Sequence, residues 1–131
     1  MDTQKKYKIL IVDDDQFLLN MYSLKFGKEN FDVTAITGGE EALTELRGGL
    51  DPDVLLLDVI MPAIDGNELL KLIKKDNLAP HAAIIMLTNQ GGESDVNNAK
   101  SLGVDGYIIK ATAIPSEVVE EVLKIVQAKN K

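Results

Sequence analysis

The sequence predicts an α/β fold: a (βα)5, doubly wound, five-stranded parallel sheet covered by helices on both faces. Two observations carry the prediction. Short runs rich in Ile, Val and Leu alternate along the chain with longer segments of helical period, five of each. Three of the short runs are almost uninterrupted in apolar residues, as parallel strands buried on both faces require.

The elements follow in order. The first strand is expected over Tyr7–Val12 and runs into three consecutive carboxylates, Asp13, Asp14 and Asp15. A helix follows over Gln16–Lys28, with Asp15 at its start, where negative charge is favourable. Leu18, Met21, Tyr22 and Phe26 form its core stripe; Phe17 and Leu24 lie off it and offer surplus apolar surface for docking. Phe31–Ile36 reads as the second strand and Gly39–Arg47 as the second helix, closed by Gly48-Gly49. Val54–Leu57 is the third strand, ending at Asp58; Met61-Pro62 makes a stiff turn and Asp65-Gly66 a hinge into a helix over Asp65–Asp76. Ala82–Leu87 is the fourth strand, ending at Thr88. The helix expected next, Glu93–Leu102, is weak, because Ser94, Asp95, Asn97 and Asn98 are poor helix formers. Such an element is either simply exposed or able to repack cheaply. Gly106–Ile109 is the fifth strand, ending at Lys110. The last helix, Pro115–Ala128, starts with Pro at a favourable first position and sets Val118, Val119, Val122, Leu123, Ile125 and Val126 on a broad apolar arc. The "QAKNK" end reads as a polar fray.

With 131 residues, one compact domain is expected, spanning 6–128 between polar termini at 1–5 and 129–131. A net charge of −7 argues against nucleic acid or an anionic membrane as a direct partner. The chain has no cysteine, so disulfide and thiol chemistry are excluded. Its longest apolar run, "AAIIML", is far too short to span a membrane, and Asp13 interrupts the N-terminal run too early for a secretory signal. A cytoplasmic location is expected.

Ligands of an open parallel sheet bind beyond the carboxyl ends of its strands, near the point where strand order reverses. Asp13, Asp14, Asp58, Thr88 and Lys110 all stand at such ends and should approach one crevice. Three carboxylates and one ammonium leave about −2, which one divalent cation neutralises. The donors are hard oxygens without His or Cys, which suits Mg²⁺, or Mn²⁺, better than Zn²⁺. Mg²⁺ binds through a few carboxylates together with phosphate oxygens, so a phosphoryl group is its natural companion. Lys110 and Thr88 can hold phosphoryl oxygens, and a carboxylate can be the nucleophile that forms an aspartyl phosphate. Asp58 is the candidate nucleophile, standing between the acid pair and Lys110.

The motifs "ILIVDDD", "LLLDVIMPAIDG", "IIMLTNQ" and "GYIIK", in this order and spacing, resemble the receiver domain of two-component response regulators over residues 6–128. The resemblance implies a flavodoxin-like three-layer sandwich with strand order 2-1-3-4-5. It implies that Asp58 is the phosphoacceptor, served by a histidine kinase or histidine phosphotransfer protein. Asp13, Asp14, Asp58 and the backbone carbonyl of Ile60 would hold Mg²⁺, and Thr88 and Lys110 the phosphoryl oxygens. Thr88 and Tyr107 would form the switch, Tyr107 turning inward as Thr88 moves, and Pro62 and Gly66 match the loop after strand three. The domain would be a switch that assists its own phosphorylation and dephosphorylation rather than an enzyme. The face made by the fourth helix, fifth strand and last helix would meet an unknown downstream protein or output domain, as a monomer or a phosphorylation-dependent dimer.

The sequence departs from the family pattern in three places. Ala111 stands where a proline in a cis bond usually follows the lysine, which leaves the aim of Lys110 open. Asn89 stands where a small residue usually follows the threonine, with Gln90 after it, and Ile60 is apolar; these three residues are expected to tune phosphoryl lifetime. The rival readings are a phosphorylation-independent pseudo-receiver and a Mg²⁺-dependent aspartate-nucleophile phosphatase, although the latter usually carries a D-x-D motif after its first strand. A flavin carrier is remote, because acids occupy the loop that would need Ser, Thr and Gly. His81 follows Pro80 in a loop and is expected at the surface; one histidine cannot build a phosphorelay, so the phosphodonor is expected to be another molecule. The expected output is either contact by a stand-alone regulator or a domain of a longer chain.

Overall fold

The computed structural model describes residues 6–129 and contains five parallel strands and five α-helices. These are β1 (Lys8–Val12), α1 (Gln16–Lys28), β2 (Asp32–Ile36), α2 (Gly39–Arg47), β3 (Val54–Leu57), α3 (Gly66–Lys75), β4 (Ala83–Thr88), α4 (Glu93–Ser101), β5 (Gly106–Ile109) and α5 (Pro115–Lys129). The sheet order is β2-β1-β3-β4-β5, as expected. Strand order therefore reverses between β1 and β3, and a crevice opens beyond their carboxyl ends.

Alternation along the strands divides the interior into two cores. Leu10, Val12, Leu55 and Leu57 face α2, α3 and α4, where Leu43, Leu69, Leu70 and Ala99 meet them. Ile9, Ile11, Val54 and Leu56 face α1 and α5, where Leu19, Phe26, Val118 and Val122 close the layer. Each such side chain withdrawn from water contributes about 1.5–3 kcal/mol before conformational entropy is subtracted.

Several boundaries differ from the sequence expectation. β1 and β2 start one residue later than predicted, and β4 is shifted by one so that it includes Thr88. On α1 the buried stripe is Leu19, Tyr22 and Phe26, while Leu18 and Met21 pack only partly; Leu19 was not among the predicted core residues. Phe17 and Leu24 are exposed. α5 continues through Lys129, whose ammonium lies 3.2 Å from Asp105, so the predicted fray begins too early. The N-terminal tail at 1–5 and residues 130–131 lie outside the described residues.

Capping follows the sequence closely. Asp15 caps α1, accepting the Leu18 N–H at 3.2 Å. Asp65 and Glu68 form a reciprocal capping box on α3, and Glu117 accepts the Ile114 N–H at 3.0 Å in front of α5. α4 has no side-chain cap, and only Ala99 of its residues is buried, as its composition foretold.

Candidate functional site

Strand register brings the predicted residues together. Val12 pairs with Leu57, so Asp13 and Asp58 leave adjacent strands side by side. Thr88 pairs with Ile109, so Lys110 follows directly beside the end of β4. The ladder continues one step past the strands, with Asp58 N–H donating to Val12 O and Asp13 N–H to Ile36 O. Both acids are thus placed by backbone hydrogen bonds rather than by flexible loops.

Asp13, Asp58 and Thr88 are the three buried polar or charged residues among the described residues, at 2%, 8% and 1% exposure. Asp14, next in sequence to Asp13, is exposed. Lys110 Nζ lies 2.6 Å from Asp13 Oδ2 and 3.1 Å from Asp58 Oδ2, bridging the two buried carboxylates. The second oxygen of each acid is also engaged: Asp13 Oδ1 accepts the Asp15 N–H at 2.9 Å, and Asp58 Oδ1 the Ile60 N–H at 3.3 Å. Burial alone would lower the Lys110 pKa. The hydrogen bond to Asp13 and the charges of Asp58 and Asp13 outweigh it and hold the ammonium above its ordinary value.

Lys110 reaches both acids although Ala111 follows it. No cis peptide bond occurs among the described residues, and Lys110 opens a 3-10 turn over Lys110–Thr112 instead of ending the strand. From the first position of this turn the Lys110 ammonium meets both carboxylates.

Asp13, Asp14, Asp58, Thr88 and Lys110 all line one cleft of about 380 Å³. Ile60, Asn89 and Gln90 line it too, and Asp15 and Leu18, which the sequence did not single out for the site, complete the wall. One carboxylate oxygen each from Asp13, Asp14 and Asp58 lies within 4.8 Å of the others. Hard oxygens at this spacing, with an excess of about two negative charges, fit a hydrated divalent cation of the Mg²⁺ kind. Ile60 is 57% exposed at the mouth.

Thr88 Oγ1 accepts the Gln90 N–H at 3.3 Å, and the Tyr107 hydroxyl donates to the Gln90 carbonyl. Burial raises the Tyr107 phenol, and the charges of Asp95 and Asp58 add to the effect, so the hydroxyl keeps its proton at neutral pH. This link through Gln90 was not legible in the sequence, since it depends on where the loop after β4 lies against β5. Gly66 opens α3, and a Cβ there would run into the Asp58 carbonyl oxygen, so close approach is a further reason for glycine at this position. His81 is exposed in its loop, as expected.

The chain matches the family described as response regulator receiver domain over residues 9–123. It is 37% identical over 122 residues to the DNA-binding response regulator MtrA of Mycobacterium tuberculosis, covering 93% of this chain and 51% of MtrA. The chain thus spans about half the length of the curated relatives it matches. Among solved structures, the BeF3-activated DrrB receiver domain superposes with a TM-score of 0.81 at 27% identity, covering 94% of this chain and 99% of that one. A CheY-like receiver domain protein of Methanospirillum hungatei superposes with a TM-score of 0.86 at 25% identity, covering 96% of this chain and 98% of that one. No helix among the described residues is long and apolar enough to cross a membrane. With the sheet order, the acid-lined cleft and these likenesses in agreement, the chain belongs to the receiver domains of two-component response regulators.

Proposed function

We propose that this domain is a phosphoacceptor switch in which Asp58 takes a phosphoryl group from a phosphohistidine of a histidine kinase or phosphotransfer protein in the cytoplasm. The observation that carries the reading is the bridge from Lys110 to both Asp13 and Asp58 inside an acid-lined cleft. A buried lysine between two carboxylates is a weak device for stability, because its desolvation offsets much of its attraction. It is a good device for a site that must accept further negative charge.

An Asp58 carboxylate oxygen attacks the phosphorus, a P–O bond forms as the P–N bond breaks, and the imidazole leaves with its electron pair and takes up a proton. Lys110 pairs with a phosphoryl oxygen, and the Thr88 hydroxyl donates to another. Asp13, Asp14, Asp58 and the backbone carbonyl of Ile60 would hold Mg²⁺, which when bound offsets charge building on the transferring oxygens. Hydrolysis reverses the change: water attacks the phosphorus, the P–O bond to Asp58 breaks, and inorganic phosphate leaves. The new dianion biases Thr88 and Lys110 toward itself, and the sparsely buried α4, with β5 and α5, passes the shift to a downstream protein or output domain.

Incubation with acetyl phosphate and Mg²⁺, followed by intact-mass measurement, tests the reading. One phosphoryl mass is expected on the wild-type chain, and none on Asp58→Asn or with excess chelator. Failure with every small donor, or equal labelling of Asp58→Asn, sinks the proposal.

A further inference from the structure

We propose that the outward face of α1 is a self-association surface, on which two copies of this chain pair through antiparallel α1 helices related by a two-fold axis. The proposal does not depend on phosphoryl transfer.

Leu19, Tyr22 and Phe26 turn one side of α1 to the core. On the opposite side the helical period lines up Phe17, Leu24 and Lys28, with Met21 beside them. Phe17 is 76% exposed and Leu24 69%, the two most exposed large apolar side chains among the described residues. Apolar anchors at i, i+4 and i+7 are the pattern by which one helix lies against another surface.

Two features choose a second copy as the occupant. The first is symmetry. Phe17 and Leu24 stand equally far from the midpoint between Asn20 and Met21, about 5 Å along the axis to either side. An antiparallel pair centred there sets Phe17 of each copy against Leu24 of the other. One surface is then its own complement, as a two-fold interface requires. The second feature is charge. The same register sets Lys28 against Asp14 and Lys25 against Gln16, with no like-charged pair along the seam. Asp14 and Lys28 are both exposed, and neither is in an ion pair among the described residues. Parallel pairing would set Asp14 on Asp14 and Lys28 on Lys28, so charge selects the antiparallel arrangement. A single helix pair buries less than the about 1,200–2,000 Å² of stable complexes, and chains of charge −7 repel, so the dimer is weak. Phe17 adjoins Leu18 on the cleft wall, so a macromolecule approaching the cleft across α1 competes with the second copy.

Sedimentation equilibrium of the full chain, from micromolar to millimolar concentration without divalent cations, tests the proposal. The weight-average mass should climb from the monomer value toward twice it. Phe17→Ser and Leu24→Ser should each weaken association at least about tenfold, because the two-fold axis counts every change twice. Both side chains are exposed, so the unfolding midpoint should hold. Lys28→Glu should weaken association about threefold to tenfold, and adding Asp14→Lys should restore it at unchanged net charge. A face that serves only the chain's own folding would show no such rescue. A mass independent of concentration overturns the proposal and leaves the face to a different partner. Association that survives Phe17→Ser and Leu24→Ser, or a charge swap without rescue, overturns it as well, since the copies then meet elsewhere or in another register.

Discussion

Ile60 separates two demands on one cleft. Its N–H donates to Asp58 Oδ1 and so helps hold the proposed phosphoacceptor, while its side chain stands 57% exposed at the mouth. Hydrolysis of an aspartyl phosphate needs a water aligned opposite the scissile P–O bond, and an apolar side chain offers that water no hydrogen bond. Ile60→Asn supplies a donor and an acceptor at the same point without touching the core. The phosphoryl lifetime should shorten about threefold to tenfold, as one positioned hydrogen bond in the transition state permits. Because Ile60 is exposed, the unfolding midpoint should stay nearly constant. Phosphate release followed in time, with parallel denaturant titration, checks both; an unchanged lifetime removes Ile60 from the rate-tuning residues. The five residues that converge here were legible because each stands at a strand end, and strand ends are among the most predictable positions in a parallel sheet. Tyr107 was legible only by resemblance, since its hydrogen bond goes to the backbone of a loop whose path no residue pattern specifies.

The elements are held in register partly by acids at the opposite edge of the sheet. Asp53 precedes β3 and accepts the Lys8 N–H at 2.8 Å, while its own N–H donates to Lys8 O at 2.8 Å. Asp105 precedes β5 and repeats the arrangement with Ile84, accepting its N–H at 2.8 Å and donating to its carbonyl at 2.7 Å. In each pair a carboxylate satisfies a strand N–H at the sheet's amino edge. Asp105→Ala leaves the N–H of buried Ile84 without its acceptor, which should cost about 1–3 kcal/mol. Asp105→Asn retains an oxygen and should cost much less, and the partly exposed contact with Lys129 adds little in either case. Chemical denaturation of the two variants tests this; equal losses would assign the stabilisation to charge rather than to the backbone acceptor. Neither acid is singled out by the sequence pattern. A side chain that completes a neighbouring strand's ladder becomes visible only once register is known. Leu19 escaped for a related reason: in "FLLNMY" the helical period fits more than one stripe, and the face of α1 is decided by what β1 and α5 present to it.

For the molecule as a whole, parallel topology has an electrostatic consequence. Every strand points its carboxyl end at the same edge, so the three acids that follow β1 and β3 collect in one cleft although Asp58 lies far along the chain from Asp13 and Asp14. That is why the fold and the site were legible together, and why the charge conflict is a property of the folded state. Unfolding separates Asp58 from the pair and relieves the repulsion, which Lys110 offsets only in part. A divalent cation that needs all three carboxylates binds the folded chain alone, and so stabilises it by RT ln(1 + [L]/Kd), about 2.7 kcal/mol at a hundredfold excess over Kd. The melting temperature should therefore rise steadily with the logarithm of Mg²⁺ concentration above Kd. Asp14 is the informative residue because it is exposed, and substituting it neither opens a cavity nor strands a buried partner. Asp14→Asn removes one repelling charge and one ligand at once. Without Mg²⁺ it should melt slightly above the wild type, and at high Mg²⁺ clearly below it, so the two curves cross. Thermal unfolding across a Mg²⁺ series at constant ionic strength measures the crossing. Parallel curves would mean that Asp14 takes no part in holding the ion, and a flat wild-type curve that the three acids do not form a metal site.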